Sequence, residues 1–539
     1  MASQGGDSDL LEKLYPIPLS TGIASLPGPT SASARALLSV LKHNRQNHHI
    51  FFNERGFHNH VTHHVLAIYG LGASPEIIED AYGTHDYLKP AFESPDSITE
   101  KNFAEHLGDA RYYSAYLAYF SEYLRDHTPN EAFERFIFSS SFNFNPDLAA
   151  ATVQDVQSAG KEGKKHPQML NRLLAGLVHP FIHFAYGFEF GIPGQVAEGL
   201  ANAAVHPAEQ TELVPPSFFS KLPEPGILSG LTSRLSLLRI APVHGEKRPT
   251  FAFLRRIRDH PKLSVDALYS QLEVPRQHRY QAVVPKAGDS IVELVEQWAN
   301  EWLADARTDA DIEKRLEGMV EEVTWGNVIW FAVGGWQARG DPGRTFNADF
   351  FIAHLVTSSV FLLTVVLPSD HSPYPLVPLA SRVTLLKAYL ATSATWYISR
   401  GNVPIPIEGF YSATGNRLTA PPAAPVPPDA KRKPLSAPGG PWERIVANAV
   451  AHPEEHLPKA VRSLAVLAAR WGSRPAGYFA GGGEDGLEGR ETLDGTLFVR
   501  AASLALDRLG WAHESGKELG NWDFEGYTGR QSDDRDVAV

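Results

Sequence analysis

Apolar residues recur along this chain mostly at the helical spacing of three and four, and strict alternation of apolar and polar positions is scarce. The pattern predicts helices over 31–47, from His60 to Leu71 (closed by Gly72), and over 101–128, 170–190, 290–305, 309–322, 381–399, 455–469 and 496–509. Residues 348–367 are apolar all round, which predicts a helix buried on every side. Short apolar runs such as Ala282–Val284 cannot be typed by period. The expected fold class is mainly α: a large single-domain helical bundle with long loops, spanning residues 31–514. A short extension (1–30) precedes it and a polar tail (515–539) follows. Residues 418–441 carry eight prolines and a basic Lys-Arg-Lys, the composition of an extended linker or large surface loop within that domain. No repeat of fixed period occurs.

Composition narrows the chemistry. The chain has 539 residues and no cysteine, which excludes disulfides, thiolate-ligated clusters and a cysteine nucleophile. A net charge of −12 argues against nucleic-acid or anionic-membrane partners. The longest apolar stretch ends at Pro368, short of the ~18 residues a membrane span needs. The first twenty residues carry early acids and no apolar core of a leader, so a cytoplasmic location is expected. The 22 histidines are unevenly placed, with seven between His43 and His64.

Those histidines fall into motifs. In GFHNHVTHHVLAIYGLGA (56–73), at about 100° per residue, His60 and His64 lie one turn apart within the arc of Val61, Val65, Ile68 and Tyr69. His63 falls at the edge of that arc. Two imidazoles at i, i+4 can reach one point above a helix face and suit Fe, Zn, Cu or Ni alike. His179 and His183 repeat the spacing among Leu, Val, Phe and Ile, although Pro180 disfavours a helical His179 and can splay the pair. Glu189, two turns on, is a candidate partner for such a ligand. His354 sits in the most apolar helix, beside Thr357 and Ser358. Lys387 shares a face with Val383, Leu390, Ala391 and Ala394, and desolvation there favours the neutral amine, which can capture carbon dioxide as a carbamate. Taken singly, each histidine also fits a structural hydrogen-bonding role, and Lys387 also fits a side chain reaching past its helix to water.

In order and at wide separation, HNHVTHHVLAIYGLGA, GLVHPFIHFAYGFEF, DFFIAHLVTSSVF and RVTLLKAYLATSATWYISRGNVP resemble the questin oxidase-like family of fungal polyketide-tailoring oxygenases. The likeness extends to EEHLPKAVRSLAVLAARW at 454–471. It implies oxidative ring opening of anthraquinones and related fused aromatic polyketides, with O2 as co-substrate. Some members are described as Baeyer–Villiger-type oxidases. One subgroup implies non-haem Fe(2+) held by four histidines and a carboxylated lysine. Carried over, the lysine falls on Lys387 and one histidine on His354, the two residues expected to be catalytic. His179 and His183 fit the second motif, and the first offers His60 or His64, one histidine more than four.

No Gly-x-Gly-x-x-Gly follows a strand and opens a helix, and Gly481–Gly483 lacks the βαβ context of a dinucleotide site. Tyr69, Tyr186, Phe188, Trp325, Trp330, Phe351 and Tyr389 are expected either to line a substrate cavity or to be plain core. Three readings follow: an iron-dependent ring-opening oxygenase (or an NADPH-dependent Baeyer–Villiger-type oxidase of the same substrates), a metal-assisted hydrolase on the same His/Lys set, and a non-catalytic helical protein.

Overall fold

The computed structural model describes residues 3–18, 28–145, 166–219, 247–269, 279–340, 344–368, 374–418, 440–513 apart from 482 and 484, and 519–527. The proline-rich segment and most of the C-terminal tail lie outside these residues. Among the described residues the chain is mainly α, with no strand and only isolated bridges such as Phe51–His58. The helices of ten or more residues are α1 (Ser3–Leu14), α2 (Ser31–Asn47), α3 (Val61–Gly70), α4 (Tyr113–Asp126), α5 (His179–Phe190), α6 (Pro193–Val205), α7 (Arg279–Leu303), α8 (Asp309–Ile329), α9 (Phe350–Ser359), α10 (Leu379–Arg400), α11 (His456–Trp471) and α12 (Leu497–Leu509). No helix among them is long and apolar enough to cross a membrane.

Two expected helices are broken, each for a local reason. The segment 101–128 becomes helical only from Ala110, a 3-10 turn leading into α4 at Tyr113, after a turn at Gly108 with φ +83°. The segment 170–190 splits into Met169–Leu174 and α5, because Gly176, Leu177 and Val178 all adopt left-handed φ of 55–58° and Pro180 then restarts the helix. The expected helix 348–367 is α9 plus a separate turn, Leu362–Val365.

The core is one continuous cluster running through all these helices. α5 and α6 cross closely, since a β-carbon on Gly199 would lie 2.4 Å from the Phe184 backbone nitrogen. Asp349 caps α9 by accepting from the Phe351 and Ile352 amides, and also accepts from Arg400 Nε at 2.9 Å, tying α9 to α10. Arg462 of α11 donates to Glu189 of α5, both fully buried. Glu189 is therefore committed to a helix-to-helix ion pair. These ties leave four elements in a closed circuit: α3 packs on α5 and α11, and α9 packs on the same two.

Candidate metal centre

Each helix of that circuit brings one histidine to its middle. His60 stands just ahead of α3, His179 opens α5, His354 sits in α9 and His456 opens α11. Their rings close a loop: His60–His179 4.9 Å, His179–His354 4.9 Å, His354–His456 5.1 Å and His456–His60 4.7 Å between centroids. All four are buried. An ion held at ~2.1 Å by imidazole nitrogens sets neighbouring ring centroids roughly 4.5–5.2 Å apart for angles between about 90° and 109°.

The hydrogen bonds assign the protons. His60 Nδ1 donates to Glu455 Oε1 (2.5 Å), His179 Nδ1 to the Gly176 carbonyl (2.6 Å), His354 Nδ1 to the Phe350 carbonyl (2.8 Å) and His456 Nδ1 to Glu454 Oε1 (2.6 Å). Carbonyls and carboxylates only accept, so each Nδ1 carries the proton and each Nε2 keeps a bare lone pair. His354 Nε2 and His456 Nε2 have no partner among the described residues. His60 Nε2 and His179 Nε2 face each other at 2.8 Å. Two lone pairs at that separation repel unless a cation lies between them. A shared proton is opposed by burial, which pushes His60 well below its ordinary value and His179 down to about 3, with Lys459 adding to both. Outward donation from Nδ1 to a carboxylate or carbonyl is the support that metal-bound imidazoles ordinarily have.

A buried lysine stands beside the cluster. Lys459 lies one turn along α11 from His456, is buried, and its charge acts on His60, His63, His64, His179 and His354. Burial lowers its pKa to about 8 against the pull of Glu455 and Glu454. At Glu455, burial alone would raise the carboxyl, but His456 and Lys459 outweigh it and hold it at about 2. Glu455 belongs to both groups of three ligand-type atoms that lie within 4.8 Å of one another among the described residues, His60–Glu455–His456 and His64–His85–Glu455. At His60 it accepts from the already protonated Nδ1, so it serves there as an anchor for the ring.

The structure thus brings His60, His179 and His354 together and adds His456, with Lys459 one turn further along the same helix. The other expected residues go elsewhere. His64 is buried, but its Nδ1 meets His85 Nε2 at 3.1 Å. The i, i+4 pairing with His60 fails because His60 has ψ near 0° ahead of the helix and swings toward His179. His183 turns to the α6 carboxylate Glu198 (Nε2–Oε2 3.3 Å) and the His63 ring. Lys387 is not brought to the histidines. It is buried as its neighbours imply, but that face of α10 packs on α7, where its Nζ pairs with Glu296 Oε2 at 3.0 Å and lies over the Phe218 ring. Of the expected cavity aromatics, Tyr186 reaches a histidine ring near the centre (His63, 5.8 Å), whereas Trp325 packs on Phe479 and Phe498, and Trp330 on Tyr397. His456 and Lys459 carried a signal in the sequence, an i, i+3 His/Lys pair opening an amphipathic helix. It stands among so many charges (EEHLPKAVR) that it reads as a solvated start.

The carbonyl that orients His179 is itself tightly held. Gly176 N donates to Glu209 Oε2 (3.1 Å), and a β-carbon on Gly176 would fall 2.1 Å from His206 Nε2. Gly176→Ala is therefore expected to displace that carbonyl. Metal affinity should fall by about 10–100-fold, with roughly 1–3 kcal/mol of destabilisation. Chelator competition checks this, and unchanged affinity would contradict the bracing role.

Acid sensitivity follows from the same burial. His64 and His179 are held at about 3 against an ordinary 6.5, chiefly by burial. Below pH 6.5 the unfolded chain takes up protons that the folded chain refuses. Chelator-treated protein should accordingly lose about 1.4 kcal/mol per pH unit for each such histidine as pH falls from 6.5 toward 3. A melting temperature flat from pH 7.5 to 5 would contradict it.

Among the described residues the fold is mainly α and encloses a buried cluster of histidines. The chain belongs to the questin oxidase-like family, whose profile matches residues 57–464, and it is an oxidoreductase. It is 26% identical over 462 residues to the questin oxidase of Aspergillus terreus, covering 84% of each chain. It is 25% identical over 480 residues to the Baeyer-Villiger oxidase mdpL of Emericella nidulans (89% of each), and 24% identical over 450 residues to the Baeyer-Villiger oxidase ptaJ of Pestalotiopsis fici (82% of each).

Proposed function

We propose that this protein is a non-haem iron oxygenase that opens a ring of a hydroxylated fused aromatic polyketide of the anthraquinone type with O2. His60, His179, His354 and His456 would hold the metal, together with Lys459 as its carbamate. The observation that carries this reading is the 2.8 Å approach of His60 Nε2 to His179 Nε2 with both protons committed outward. Four neutral nitrogens and one anionic oxygen form a donor set suited to a divalent first-row metal. Bound iron would supply the one-electron chemistry that ground-state triplet oxygen requires.

The chain's own residues do the rest. Glu454 and Glu455 accept from the Nδ1 protons and make the imidazoles better donors. The Gly176 and Phe350 carbonyls fix the other two rings. Lys459, with its pKa lowered to about 8 by burial, offers a neutral amine whose nitrogen bonds to carbon dioxide as a proton leaves.

The relatives' names favour a second form of the same chemistry, Baeyer–Villiger-type insertion of oxygen beside a ring carbonyl. One experiment separates the two: metal content of the purified protein, then oxygen uptake with a trihydroxyanthraquinone, with and without NADPH. Iron near one per chain and uptake without NADPH are expected. Iron-free protein whose uptake depends strictly on NADPH would overturn the iron reading.

A further inference from the structure

The large hydrophobic side chains exposed among the described residues include Phe57 and Tyr87, each 44% exposed, and the two share a neighbour. Phe52 stands between them, 4.9 Å from the Tyr87 ring and 5.9 Å from the Phe57 ring. A narrow turn presents the patch: Phe52 N donates to the Phe57 carbonyl (2.8 Å), and Asn53 Oδ1 accepts from the Arg55 and Phe57 amides. Phe52 packs on the core from beneath, so the exposed faces of Phe57 and Tyr87 adjoin across it as one aromatic surface.

The patch is joined to the metal centre on two sides. Tyr87 OH donates to Glu455 Oε2 (3.1 Å), and the other oxygen of Glu455 holds His60. The neighbour of Phe57, His58, stacks on His179 at 4.2 Å with the rings parallel within 1°. Glu455, at the foot of Tyr87, keeps 17% of its side chain in solvent. Two of the four rings around the centre are thus one contact away from residues of this surface.

We infer that Phe52, Phe57 and Tyr87 form the receiving surface for the flat face of the substrate, a planar fused-ring phenol, on the surface beside the centre. This rests on the proposed substrate class and adds where that substrate is held and by which residues. Aromatic rings set edge to face and tilted, as these are, leave π faces for a planar guest. The anchoring of Tyr87 through Glu455 keeps the guest beside the centre.

The test is steady-state kinetics with a trihydroxyanthraquinone on the metal-loaded full chain. Phe57→Ala and Phe57→Leu should raise KM by about 2- to 10-fold, with kcat within about twofold, while metal content and melting temperature stay as in the wild type. Ile17→Ala, at a still more exposed apolar residue outside the patch, serves as the control and should leave KM unchanged. Unmoved KM in both Phe57 variants, with an active wild type, would overturn this inference alone. A wild type that neither binds nor turns over the anthraquinone would overturn the proposed function and this inference with it. A concentration-dependent doubling of mass abolished by Phe57→Ala, with KM unmoved, would assign the patch to a second copy of the chain and reject the inference.

Discussion

Replacing Lys459 with alanine is expected to strip the protein of both metal and turnover, whereas Lys387→Ala should keep both. The difference lies in surroundings, because both lysines are buried. Lys387 has its counter-charge in Glu296 and its stem over Phe218. Lys459, one turn from His456, is buried where its charge acts on His60, His179 and His354 as well as on Glu454 and Glu455. Removing a metal-binding arm should cost at least the upper part of the 10–100-fold range seen when supporting partners are lost, so about 100-fold or more in affinity. Lys459→Glu restores a carboxylate on a shorter arm and should recover part of the metal that alanine loses. Equilibrium dialysis and metal analysis of the three variants decide it. Full metal occupancy in Lys459→Ala would remove that residue from the centre, and loss of metal in Lys387→Ala would return the role to Lys387.

The second large effect concerns which histidines matter. His354→Ala and His456→Ala should each reduce metal content from about one per chain to a small fraction of that, since each removes one of the four imidazole donors in the proposed set of five. His64→Ala should leave metal content unchanged and cost stability only, because its ring is spent on His85. His63→Ala should also affect metal less than His354→Ala, because the His63 ring stands outside the four-ring loop, 5.8 Å from His60 and 6.0 Å from His179. Metal analysis alongside helical circular dichroism checks the set. Equal losses in His64→Ala and His456→Ala would contradict the closed loop of rings.

Both expectations differ from what the chain alone suggests, and the reasons are local. Burial was legible: His60, His64, His179, His183, His354 and Lys387 are all buried, as their apolar neighbours imply. Direction was not. At His60 the backbone leaves the helix, so a spacing argument built on about 100° per residue stops applying one residue too early. At His179 a left-handed turn aims the ring away from His183. Lys387 met a carboxylate on α7, a partner nearly a hundred positions away that no periodicity reports. His456 and Lys459 stood in plain view, but their charged neighbours Glu454 and Glu455 disguised a buried hub as a helix start exposed to water.

Read alone, the chain determined its helical class, the positions of most long helices, the absence of thiol chemistry and the unusual concentration of interior imidazoles. All of these follow from residue type and short-range spacing. Which imidazoles meet and which nitrogen of each faces inward was decided only when four helices distant in the chain closed on one another. Ligand geometry depends on contacts between remote segments, and local periodicity carries no information about those.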